Sequence, residues 1–458
     1  MVRENLGRHL SSCLRSLQMQ PQKPLQYLPP GATKLELSAF GAQLAETERK
    51  KQKVYEASRR LQIELIKAKS GLECGEPVTG VETLLFNLVP VEASRQPREA
   101  NLSFRLEDYV RVQSYSFFLE QGKLLPPSAC KYATDEEYLA GALMGLCSDL
   151  ARYGMGQATG RDVVSVKIAR DLVHAIQNEL LQFDFRNGPL RRKFDGTKYS
   201  LKTLETLLYE LSVTGSAPEH PQNKKHKCDL VPTQELKQLR SRMEYRDELR
   251  EKLIKMCRDG QKAAKQSIFA LHRGDRKMAE NLLQQCETCI DRSLLPIATE
   301  EPPLRYAGSL TGVLEEYVEA KQFHVWLFGK DGSSTEATGD LLLPDEFSVD
   351  LTPEEYLGGL CDVTGEIGRF AVQRGTVRDT DGVRLCLRTN SSIWNALQTL
   401  ERVPGSIGKK MDAMRLSVEK LERILYEMSL SEATGRTVVT MAQTSDSNDK
   451  ANHNSRED

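Results

Sequence analysis

Two pairs of carboxylates in the C-terminal half are spaced for joint work. Glu316 and Glu319 stand three residues apart, and Asp362 and Glu366 stand four apart. On helices, each spacing puts both side chains on one face. Four carboxylates on two packed helices repel one another unless a cation sits between them. A donor set made only of oxygen suits Mg²⁺ or Mn²⁺ and not zinc or copper. Such a site supports metal-assisted hydrolysis, in which the metal activates water and offsets charge on a leaving oxygen. The plain alternative is that these acids line solvated helix faces. A di-iron carboxylate bundle is a rival metal reading, but it requires Glu-x-x-His on its helices. The sequence contains no such pattern, the nearest being Asp171-Leu-Val-His174.

A second candidate is basic. Arg191, Arg192, Lys193, Lys198 and Lys202 run along one helix near the end of the first half. They suit phosphate contact, with a solvated face or an intersubunit salt-bridge surface as the alternatives. Weaker signals carry no reading. Cys286-x-x-Cys289 lacks the further ligands a structural zinc needs. The G-x-x-x-x-G-K phosphate cradle is absent, and Gly405-Ser-Ile-Gly408 has the spacing of an RNA-clamping loop without the module around it. His272 is expected to pack or cap near a helix end, because no serine or cysteine arrangement would make it a triad base.

The elements that must position these groups are helical. Leu37, Phe40, Leu44, Thr47, Lys51, Val54, Ser58, Leu61, Leu65 and Ala68 step by three and four, which marks one face of a long helix. Leu249, Leu253, Met256, Gly260, Ala263, Ser267 and Leu271 repeat that pattern in the second half. Alternating β-branched runs bounded by hairpin turns are scarce, so the fold class is all-α. Thr134 with Glu137, and Thr352 with Glu355, are spaced as capping boxes.

The chain also repeats itself. "LEDYVRVQSYSFFLEQGKLL" is similar to "LEEYVEAKQFHVWLFGK", and "DEEYLAGALMGLCSDLARYGMG" to "PEEYLGGLCDVTGEIGRFAVQ". "LRRKFDGTKYSLKTLETLLYELS" returns as "IGKKMDAMRLSVEKLERILYEMS". The organisation expected is an extension at 1–33, a helical domain at 34–215, a linker at 216–235, a second helical domain at 236–431 and a polar tail at 432–458. The extension is Arg- and Ser-rich, so an organelle-targeting peptide is the rival to a dispensable leader. With 63 basic and 64 acidic residues, no global field steers the chain to nucleic acid, and binding must use a local patch. No stretch approaches the roughly 20 apolar residues needed to span a membrane. Ten scattered cysteines suit reduced thiols in a cytosolic or nuclear protein.

These ordered motifs carry a family resemblance across about residues 34–431. The first half resembles translin, through "LRRKFDGTKYSLKTLETLLYELSVTG". The second is similar to translin-associated factor X, through "SIFALHRG", "LEEYVEA" and "EYLGGLCDVTGEIGRF". The resemblance implies two tandem all-α translin-like domains, fused in one chain, and a hollow oligomer that cleaves single-stranded RNA with a divalent metal. It implies that the second half carries the acidic active site, since Glu316, Glu319, Asp362 and Glu366 all match the family's acidic motif. The first half would build the shell and hold single-stranded RNA or DNA, in a region that overlaps the basic helix. The implied assembly is a closed homo-oligomer of about four tandem chains, or a hetero-oligomer with other translin-family chains. The implied work is RNA processing in cytoplasm and nucleus, either passenger-strand removal from small RNAs or removal of transfer-RNA leaders. A non-catalytic nucleic-acid-binding scaffold is the alternative.

The two copies differ where the acids fall. Arg111 stands in the first half where Glu319 stands in the second, although Asp108 keeps an acid. The capped helix of the first half carries one extra residue between its tyrosine and "DLAR". Met144 or Gly145 therefore falls opposite Asp362, and Asp149 opposes Glu366 in only one of two registers. The acidic quartet is expected to be broken in this copy, which keeps basic residues instead.

Overall fold

Every element among the described residues is helical. The computed structural model describes residues 37–76, 81, 85, 100–214 and 230–434. The expected extension at 1–33, residues 216–229 of the linker and the tail beyond 434 lie outside them. Among the described residues, no helix is long and apolar enough to cross a membrane.

The chain forms two compact units, Leu44–Gly260 with Glu287–Val313, and Met1–Gln43 with Gln261–Cys286 and Leu314–Asp458. The first unit takes most of α1 (Ser38–Glu73) together with α2 (Ala100–Gln121). Then follow the single turn α3 (Asp135–Tyr138), a π-helical turn at Leu139–Gly145, α4 (Leu146–Thr159), α5 (Val163–Leu180) and α6 (Pro189–Val213). The three-four stripe of α1 is its inner face, with Leu61 and Leu65 buried and Lys51 exposed. Leu106, Leu143, Leu150, Leu172, Ile176 and Leu204 meet it in one core. Leu236 and Leu239 join the same core from the start of α7 (Thr233–His272).

The second unit holds the end of α7, α8 (Arg276–Cys289), most of α10 (Gly308–Phe328), α11 (Pro353–Thr376), α12 (Thr380–Gln398) and α13 (Gly405–Thr434); the short α9 (Leu295–Glu300) lies in the first. Its core is built on Tyr317, Phe323, Trp326 and Tyr356, all fully buried. Gly405 to Lys409, which has the spacing of a clamping loop, is the first turn of α13.

The internal repeat extends to fine geometry. Thr134 and Thr352 each cap a helix in a full capping box with the glutamate three residues on. After α4 and α11, Arg161 and Arg378 adopt left-handed φ values of 60° and 62°, and the aspartate that follows each caps the next helix. Left-handed backbone at a non-glycine residue is strained, so its recurrence at the same step of both copies marks the turn as inherited. The extra residue of the first copy is absorbed by the π-helical turn, which accommodates an insertion without ending the helix. Gly141, just inside that turn, keeps its partner: a Cβ there would lie 2.4 Å from the carbonyl oxygen of Glu107. Gly359 does the same in the other copy, with a Cβ 2.5 Å from the carbonyl of Glu315. Only glycine permits these backbone approaches, which offsets its cost of roughly 0.5–1 kcal/mol within a helix.

Candidate metal centre

Three helices of the second unit supply one group of acids and their partners. Helix α10 supplies Glu315, Glu316 and Glu319, α11 supplies Asp362 and Glu366, and the last two turns of α7 supply Lys265 and His272. The close approach at Gly359 brings α10 against α11. Glu319 is at the focus. Burial raises its carboxyl to a pKa of about 8, and the neighbouring charges of Asp362, Glu316 and Glu366 add to that rise while Lys410 opposes it. The other three sequence-predicted acids, Glu316, Asp362 and Glu366, therefore lie near enough to Glu319 for their charges to act on it.

The surrounding cations divide the acids among themselves. Lys410, from the first turns of α13, places Nζ 2.6 Å from Asp362 Oδ2, 2.6 Å from Glu315 Oε2 and 3.3 Å from the carbonyl oxygen of Gly358. Burial alone would lower the Lys410 pKa, but its hydrogen bonds to Asp362 and Glu315 outweigh that and raise it. Lys265 lies 3.0 Å from Glu316 Oε1, and this contact raises the lysine's pKa. His272 is buried against Phe323 with Nε2 2.5 Å from Glu366 Oε2, while its Nδ1 is buried with no hydrogen-bond partner. Glu366 also lies 3.8 Å from Arg369.

The donor chemistry fits a hard dication. The oxygens come from four carboxylates, and burial, with the neighbouring acids adding to it, displaces the Glu319 pKa upward. Among the described residues, no three His, Cys, Asp or Glu side chains already stand in a metal-coordinating arrangement. Lys410 pairs with Asp362 and Glu315, and Lys265 with Glu316.

The first unit has the same frame with inverted contents. Past the π-helical turn, Asp149 takes the place of Glu366. It is 2% exposed and is held by Arg111 through contacts of 2.5 and 2.7 Å and by Lys69 at 2.6 Å. Arg111 stands where Glu319 stands and Lys69 where His272 stands, so two fixed cations fill the position a metal would take. Burial opposes the charge on Arg111, and the bonds to Asp149 more than restore it. Lys193 pairs with Glu107, as its counterpart Lys410 pairs with Glu315.

This geometry bears on the basic helix. Arg191, Arg192, Lys198 and Lys202 are exposed along α6, with Arg191 also near Asp195 and over the Phe194 ring, and Lys198 over Tyr199. Lys193 is half-buried and turned to Glu107, so it is committed inside the unit. The sequence reading missed Glu315 and Lys410; it placed His272 as a packing residue near a helix end, where it stands at the end of α7 against Phe323, but not its pairing with Glu366. Two signals were available: Lys410 repeats the position of Lys193, and His272 lies within "SIFALHRG". Cys286 and Cys289 are not joined in a disulfide.

A model of the Translin family matches residues 98–215 and 248–432. The chain is similar to the Translin-associated protein X homolog of Schizosaccharomyces pombe, 28% identical over 202 residues, which are 41% of this chain and 84% of that protein. It is similar to Translin of Gallus gallus over a shorter stretch, 31% identical over 80 residues, 18% of this chain and 34% of that protein. Among solved structures it resembles "Crystal structure of AfC3PO", with a TM-score of 0.38 and 23% identity over 43% of this chain and 98% of that one.

Proposed function

The chain belongs to the Translin family, and from that premise we propose that it is a metal-dependent endoribonuclease acting on single-stranded RNA. The observation that carries this reading is the gathering of Glu316, Asp362 and Glu366 around the half-buried Glu319 in the second unit, with no counterpart quartet in the first. These four residues would hold Mg²⁺ or Mn²⁺. When bound, the ion supplies an activated water and charge compensation at the leaving oxygen.

The chain's own groups prepare that chemistry. His272 fixes the Glu366 carboxylate from the buried side, so the acid keeps one orientation. Lys410 and Lys265 neutralise Asp362, Glu315 and Glu316 before loading. With an ion held by those acids, Lys410 and Lys265 would stand as fixed charges suited to a phosphodiester. In the first unit, Arg191, Arg192, Lys198 and Lys202 present an exposed basic face suited to the phosphates of the same strand. The division of labour is an acidic half that cuts and a basic half that holds.

We further propose that tandem chains close into a shell, four chains or a mixed assembly with other translin-family chains. Access to an enclosed site would then favour flexible single strands, RNA or DNA, over duplex. RNA processing in cytoplasm and nucleus, such as passenger-strand or transfer-RNA leader removal, is the setting this activity fits.

The test is turnover of a labelled single-stranded RNA by catalytic amounts of protein. Multiple turnovers in Mg²⁺ that stop on adding chelator support the enzyme. Binding that ignores chelator, with no cleavage, supports the non-catalytic scaffold, which the family's nucleic-acid-binding branch also fits.

A further inference from the structure

Immediately beside the acids, an aromatic ring stands in solvent. Phe269 lies on α7 between Lys265 and His272, one turn from each, so the three share one face of the helix, from which Lys265 and His272 meet the acids. It is 53% exposed, although burying a phenylalanine is worth about 1.5–3 kcal/mol. One side of the ring is covered by the Arg369 guanidinium, 5.6 Å from its centroid. That guanidinium also lies 3.8 Å from Glu366, so the ring, the cation and a candidate metal ligand form one continuous surface. Arg369 is itself half exposed.

We propose that Phe269 and Arg369 form a stacking platform for a nucleobase of the single-stranded RNA, next to the scissile phosphate. This rests on the proposed endoribonuclease function and adds how the strand is placed. An open aromatic face backed by a guanidinium is the surface that single-stranded nucleic acids use, because every base has a π-face and the contact needs no sequence. Stacking one base against Phe269 fixes the adjoining phosphate within reach of the carboxylate cluster. It also selects against duplex, whose bases are already stacked on each other. The first unit lacks the device: counting back from Lys69 as from His272, the position of Phe269 is Ile66, exposed but aliphatic. The aromatic ring accompanies the acids and is missing where they are missing.

The test uses full-length protein and labelled oligoadenylate, intact or with one abasic position scanned along it. In chelator, Phe269→Leu is expected to bind the intact strand about tenfold more weakly than wild type, with the salt dependence unchanged, since the loss is stacking and not phosphate contact. Phe269→Tyr should restore binding. An abasic site at the stacked position should weaken wild type by a similar factor and leave Phe269→Leu unaffected. In Mg²⁺ the kcat/KM of Phe269→Leu should fall at least as far. Wild-type cleavage with Phe269→Leu equal to it in binding, cleavage and abasic sensitivity overturns the platform and leaves the nuclease standing. A wild-type protein that neither binds nor cleaves the strand overturns both.

Discussion

Replacing Glu319 by glutamine probes the crowded acids without cutting anything. In the unfolded chain its carboxyl has the ordinary value of 4.5, and in the folded, metal-free protein it sits at about 8. Between those values the folded chain keeps a proton that the unfolded chain has released. Stability therefore falls as the pH rises through that window and levels off above it. The full gap corresponds to roughly 4–5 kcal/mol, and the part accrued by pH 7 to about 3 kcal/mol. Glutamine mimics the protonated acid in both states and abolishes the penalty. In chelator at pH 7, Glu319→Gln should be more stable than wild type by about 3 kcal/mol, a rise in melting midpoint of roughly 6–12 °C. The two proteins should converge near pH 4.5. Mg²⁺ should narrow the gap by stabilising wild type alone, because it binds the ionised acid. Melting curves from pH 4.5 to 9, with chelator and with Mg²⁺, measure all of this. Parallel curves for the two proteins at every pH would refute the raised Glu319 carboxyl, and with it the burial and the acidic neighbours that raise it.

Other outcomes follow from the same contacts. Arg111→Leu leaves Asp149, 2% exposed, with Lys69 and the distant Arg152 as its cations; thermal unfolding should show a loss of about 2–3 kcal/mol, since breaking a buried pair strands a charge. Reversing Arg191 and Arg192 to glutamate should weaken RNA binding for all sequences alike and lower the salt slope by roughly one to two; an unchanged slope with altered oligomer size would move these residues to a subunit interface. Light scattering should give a particle near four times 51.5 kDa, and duplex RNA should be a poor substrate; a stable monomer that still cleaves RNA would remove the shell and keep the site.

Much of this was legible from residue order alone. The three-four stripe of α1, both capping boxes and the all-α class follow from local periodicity and cap chemistry, which do not depend on distant partners. The one-residue excess in the first copy was visible too, but its two registers were not separable, because a π-helical turn leaves no pattern that spacing reveals. The acids Glu316, Glu319, Asp362 and Glu366 could be grouped because each pair is local to one helix. Their counter-ions could not. Lys410 reaches Asp362 from 48 residues away and His272 reaches Glu366 from 94 away, and only packing decides such pairs. Lys193 illustrates the converse: it reads as one of five basic residues on a helix, yet its ammonium is spent on Glu107 within the unit.

The central claim is that the quartet in the second unit, and nothing in the first, cuts RNA. The most direct measurement is single-turnover cleavage of labelled single-stranded RNA in Mg²⁺ by Glu316→Ala, Asp362→Ala and Asp149→Ala, with RNA binding measured in parallel. Loss of cleavage with binding intact is expected for the first two, and retained cleavage per folded molecule for Asp149→Ala. Full activity in freshly purified Glu316→Ala or Asp362→Ala would contradict the site.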